Sequence, residues 1–118
     1  MRVIDMKMKP TPESLRSMTN GETLLIWRTR EGFNQVTAAA QLRVQVALYR
    51  EWEADRRKPP RRQNGKLHPR ERCLIARRRM GLKQRELAQR LGVSRLWVIQ
   101  MESGAAPPDR LCEFWGLT

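Results

Sequence analysis

The chain has 118 residues, room for one ordinary domain or two very small ones, which excludes most multi-domain enzymes. Its 24 Lys and Arg against 12 Asp and Glu give a formal net charge of +12, so polyanions are attracted to it. Nineteen of the cations are Arg and five are Lys, and guanidinium forks match phosphate oxygens and guanine edges in a way that ammonium point charges do not, which puts nucleic acid first among partners.

A hydrophobic content of 40% is too high for a disordered basic tail. The longest apolar runs, such as Leu24 to Trp27, are far shorter than the roughly 20 residues that span a bilayer, so no membrane is expected. The opening stretch MRVIDMKMKP lacks the apolar region of a secretory signal, and the expected location is the bacterial cytosol or the nucleoid. Cys73 and Cys112 have no Cys or His at ligand spacing and His68 stands alone, so no metal and no cofactor are expected, and the thiols are read as reduced.

Residues 1–17 form an extension in which Thr11-Pro12-Glu13 has the pattern of a cap and first turn, predicting a short helix that ends near Met18. From there the chain repeats itself. Aligning residues 22–59 with 71–108, an offset of 49, gives 12 identities in 38 positions without a gap. They include Arg28 with Arg77, Arg30 with Arg79, Gly32 with Gly81, Gln35 with Gln84, Leu42 with Leu91 and Glu53 with Glu102.

Each repeat reads as three short helices. The first repeat, residues 18–58, opens with a helix over Thr19 to Arg30 closed by Gly32. A basic linker follows at 59–66, with a turn signal at Asn64-Gly65 and a reach of about 26 Å if fully extended. The second repeat, 67–118, predicts a helix over Glu71 to Met80 introduced by Pro69 and closed by Gly81. Next come Gln84 to Leu91, with Leu87, Ala88 and Leu91 on one face, and Arg95 to Glu102, capped by Ser94. A closing helix is expected over Asp109 to Leu117. Trp27, Trp52 and Trp115 are expected in the core. The adjacent pairs Leu25-Ile26 and Leu74-Ile75 cannot share one narrow stripe, so they either widen the core of each repeat or provide a pairing surface.

The run from Arg77 through Gly81, Gln84, Glu86-Leu87-Ala88, Leu91-Gly92-Val93-Ser94, Val98 and Glu102 to Gly104 resembles the Cro and phage-repressor (XRE-type) helix-turn-helix family. The first repeat is a divergent match, with Arg43 in place of the turn glycine, Gln45 in place of the capping serine and Thr37 in place of the helix-two glutamate. The resemblance implies an all-α protein of two tandem helix-turn-helix (lambda-repressor-like) domains. By position it places Arg95, Leu96 and Gln100 against base edges, with Arg95 on guanine or on phosphate, Gln100 on adenine and Leu96 on a thymine methyl.

Lys83, Gln84, Ser94 and Trp97 then lie at the backbone or groove edge. In the first repeat the base-facing positions are Val46, Ala47 and Glu51, flanked by Gln35, Gln45 and Arg50; either this repeat reads a different half-site or it serves as a docking module. Arg61 and Arg62 of the linker are candidates for backbone contact. Arg77 with Glu102, and Arg28 with Glu53, are implied structural pairs.

The function expected is a sequence-specific double-stranded DNA-binding transcriptional regulator, a repressor of a phage or mobile-element operon, acting as a single chain or a homodimer. An antitoxin that binds a toxin protein and a protein-binding adaptor are the alternatives. No nucleophile with a base, carboxylate pair or phosphate-cradling glycine loop points to an enzyme.

Overall fold

In the computed structural model, which describes residues 10, 11 and 14–117, the regular structure consists of helices, with no strand among these residues. Two units are formed: Met18–Lys66, and Leu67 to the C-terminal end together with the described residues up to Ser17.

The first unit holds α1 (Asn20–Glu31), α2 (Gln35–Gln41) and α3 (Val46–Glu53). Thr19 starts α1 with a reciprocal cap: its hydroxyl accepts from Glu22 N at 3.1 Å, and its own N–H donates to Glu22 Oε1 at 2.9 Å. Gly32 closes the helix at φ +74°. Helix α2 is capped by Asn34, whose side chain accepts from Thr37 N at 2.8 Å. In the second unit the corresponding start is tied the other way round, with Lys83 N donating to Glu86 Oε1 at 2.7 Å, so the two helices are capped through different donors.

Arg43 turns the chain into α3 at φ +58°, in the conformation that Gly92 holds at φ +70° in the second unit. The same correspondence joins Asp55 (φ +58°) to Gly104 (φ +90°). The turn thus keeps its shape and the arginine carries the strain. Asp55 also ties the end of α3 to the start of α1, accepting from Gly21 N at 3.0 Å and from the Thr19 hydroxyl at 2.6 Å. Gly21 is required there, since a Cβ would lie 2.6 Å from the Trp52 carbonyl oxygen.

Leu24, Ala38, Ala39 and Tyr49 make the core of this unit, with Trp27, Phe33, Leu42, Val44, Val46 and Trp52 packed around it. Trp27 and Trp52 therefore sit half-buried at the margin rather than at the centre. Leu24, Leu25 and Ile26 are all buried, and three consecutive residues sweep about 200° of the helix, so α1 is covered on more than one stripe.

The segment 59–66 is laid along α1 instead of spanning solvent. Arg62 N donates to the Thr23 hydroxyl at 3.0 Å, the Asn64 amide to Thr23 O at 2.9 Å, and Arg61 to Met18 O and Asn20 Oδ1, both at 3.0 Å. The Arg62 guanidinium lies over the Trp27 ring at 4.4 Å.

The second unit holds α4 (Pro69–Arg79), α5 (Gln84–Leu91), α6 (Arg95–Ser103) and α7 (Asp109–Trp115). Pro69 occupies the first position of α4, and His68 N donates to Glu71 Oε1 at 2.8 Å. Ser94 caps α6 by accepting from Trp97 N at 3.1 Å. Gly116, at φ +69°, ends α7 two residues earlier than the apolar spacing up to Leu117 suggests. Helix α4 packs on α6 and α7, and α5 on α6, burying Ile75, Ala76, Leu87, Val98, Met101, Leu111 and Trp115.

Cys73 and Cys112 face each other across α4 and α7 as free thiols, Sγ to Sγ 3.7 Å, and burial together with the neighbouring sulfur pushes the Cys73 thiol up. The expected N-terminal helix is reduced to one 3-10 turn, Ser14–Arg16, whose Leu15 is buried against α4. Pro12 and Glu13, part of that expectation, lie outside the described residues. No helix among the described residues is long and apolar enough to cross a membrane.

Candidate nucleic-acid interface

Each unit is braced by the same buried ion pair. Arg28 donates to Glu53 through Nε (2.6 Å) and an η nitrogen (3.2 Å), and Arg77 to Glu102 in the same way (2.7 and 3.1 Å). These are forked, charge-assisted contacts. The guanidinium also donates to the carbonyl five residues ahead, Phe33 at 3.3 Å and Leu82 at 2.9 Å, fixing the turn that launches the second helix of each unit.

Gln35 and Gln84, expected at the DNA backbone, point their amides inward to Glu53 (3.1 Å) and Glu102 (3.0 Å). The start of α2 and of α5 is thereby fastened to the far end of α3 and of α6. Burial works to raise the Glu53 carboxyl, but the bonds from Arg28, Tyr49 and Gln35 outweigh it and hold the group below the usual carboxylate range.

Tyr49 is the member of this network that sequence reasoning missed. It is fully buried, and its hydroxyl donates to Glu53 Oε2 at 2.6 Å. It stands where the second repeat has Val98, and a lone Tyr one helical turn before a Glu was the available signal.

On the second unit, Arg77, Lys83, Gln84, Arg85 and Arg95 line one cleft of about 350 Å³. Lys83 and Gln84, expected at the groove edge, and Arg95, expected against base edges, all line it. Arg85 was missed, although its position one residue into α5 and its charge pointed there. Beside this basic cleft α6 presents Leu96 and Trp97, 60% and 39% exposed. Gln100, one turn further along α6, is half-buried.

On the first unit, Gln45, Ala47, Leu48, Arg50, Glu51, Arg56 and Arg57 line a cleft of about 590 Å³. Two expected contacts are altered there. Val46 is half-buried and packs on the core, and Glu51 is ion-paired to Arg56 at 2.6 Å. Arg50 is turned toward α2, donating to Gln35 Oε1 at 3.2 Å. The linker arginines Arg61 and Arg62 are engaged with α1 as described above. Among the described residues no group of three or more His, Cys, Asp or Glu could hold a metal ion.

No protein-family model, curated protein or solved structure matches the chain.

Proposed function

We propose that the two units are tandem helix-turn-helix modules of a sequence-specific, double-stranded DNA-binding regulator, a non-catalytic repressor of a phage or mobile-element operon working in the cytosol. The observation that carries this reading is the second unit's surface, where Lys83, Arg85 and Arg95 converge at the start of α5 beside the exposed Leu96 and Trp97 of α6. Cations converging at a helix N-terminus suit a phosphate. Apolar groups one step away suit base edges and thymine methyls in a major groove. The excess of 12 positive charges supplies the sequence-independent attraction.

The first unit contributes differently. With Glu51 ion-paired to Arg56 and Val46 packed at the margin of the core, its cleft carries Arg56, Arg57 and Arg50 and favours backbone contact over base reading.

The test is selection of preferred duplexes from a random pool, followed by affinity for the selected and a scrambled duplex at several salt concentrations. The selected site is expected to bind more tightly at every salt concentration. Arg95→Ala and Gln100→Ala are each expected to cost about 1–3 kcal/mol on it and to relax one base position. Glu51→Ala is expected to leave the preferred motif unchanged. Equal affinity for both duplexes would refute a specific regulator and leave a general polyanion binder.

A further inference from the structure

The stretches that lead into the two repeats are docked crosswise. Residues 14–17 precede the first repeat as 63–66 precede the second, at the same offset of 49. Yet the first stretch is held by α4, the opening helix of the second repeat, and the second stretch by α1, the opening helix of the first.

The side chain that holds them is the same in both. Arg79 of α4 donates to the carbonyls of Ser14 (2.7 Å) and Ser17 (2.9 Å). Its equivalent, Arg30 of α1, donates to the carbonyls of Asn64 and Lys66, the latter at 2.9 Å. Ser17 and Lys66 are themselves 49 apart. A guanidinium fork on main-chain oxygens is indifferent to side-chain identity, so the unlike sequences SLRS and QNGK serve alike.

What differs is the second anchor. Residues 62–64 are fastened by bonds to Thr23, whereas residues 14–17 are fastened by Leu15, only 4% exposed.

We propose that the face of α4 around Arg79 is an interaction surface whose partner is the arm 14–17 carried by the first repeat, and that the two repeats are tied by exchanged arms in addition to their peptide linkage. The first unit is complete within Met18–Lys66, because its arm is its own trailing segment. The second unit is complete only when the piece bearing the first repeat delivers Leu15. A cut between Lys66 and Leu67 then leaves two pieces still joined, since the arm stays on the N-terminal piece and its receptor on the C-terminal one. Nothing in this tie depends on nucleic acid.

The experiment is to insert a site-specific protease sequence between Lys66 and Leu67, cleave the folded full chain and follow the nicked protein by sedimentation at micromolar concentration without DNA. The nicked protein is expected to sediment as one species. Nicked Leu15→Asp is expected to associate at least about tenfold more weakly, because an ionised side chain cannot occupy the buried leucine site. Nicked Arg79→Ala is expected to weaken association several-fold. Helical circular dichroism of each uncut variant serves as the folding control, and if uncut Leu15→Asp does not fold, Arg79→Ala decides. Separation of the wild-type pieces, or association of the deciding variant as tight as wild type, would overturn the proposal.

Discussion

Replacing Glu53 by Gln keeps the shape of the side chain and removes its charge, so it isolates what the carboxylate does in the first unit. In the native protein the Glu53 side chain is 1% exposed and accepts from Arg28 twice, from Gln35 and from Tyr49. Arg28, at 17% exposure, has little water to fall back on once its counter-charge is gone. Removing one partner of a buried pair costs about 3–5 kcal/mol, several times an exposed ion pair. Glu53→Gln is therefore expected to lower the urea-unfolding free energy by about that amount at pH 7, read by circular dichroism and tryptophan fluorescence.

The pH dependence supplies the sign. Because Glu53 is held below its ordinary value of about 4.3, its contribution is fully present above that pH and is lost as pH falls through the lower, folded-state value. The gap between wild type and variant should thus be constant near neutrality and close in acid. A loss below about 1 kcal/mol at pH 7, the range of exposed pairs, would refute the view that this pair braces the unit.

Gly21→Ala is expected to destabilise the first unit by about 1–3 kcal/mol in the same unfolding assay, since its Cβ would meet the main-chain oxygens of Trp52 and Glu53 at 2.6 and 2.7 Å. Arg43→Gly is expected to raise stability by up to about 1 kcal/mol, by relieving a left-handed residue at φ +58°. On the selected duplex, exchanging each thymine in turn for uracil is expected to weaken binding at one position; Leu96→Ala should abolish that methyl dependence while leaving the salt dependence intact, which competition binding would show.

Much of this architecture is legible in the residues because it depends on local chemistry. Proline at the start of α4, serine before α6 and glycine after α1 mark helix ends through φ preference and hydrogen-bonding capacity, and the helices lie there. The 49-residue offset is equally readable, and it pairs Arg43 with Gly92 in one backbone conformation despite the change of residue.

What the residues do not announce is contact made to main chain. Arg79 on Ser14 and Ser17, and Arg30 on Lys66, leave no complementary side chain to notice, and Leu15 is a single apolar residue in a polar stretch. The linker arginines are ambiguous for a related reason. Their charge reads as phosphate affinity, while the structure spends Arg61 on the Met18 carbonyl and Arg62 on the Trp27 ring. Glu51 likewise reads as a base contact until Arg56, five residues on, folds back onto it.

Tyr49 is the chain's one tyrosine, which makes the ultraviolet absorbance of phenolate a signal from a single address. Burial first, and then the bond to the negatively charged Glu53, raise its ionisation well above the ordinary value near 10. A folded molecule is therefore optically silent through the range where a free tyrosine titrates. The proton it retains stabilises the fold below that pH, and the contribution drains away as alkalinity climbs toward the folded-state value. Phenolate absorbance in that range therefore reports the fraction of molecules in which the first repeat has opened around Tyr49, without any added label.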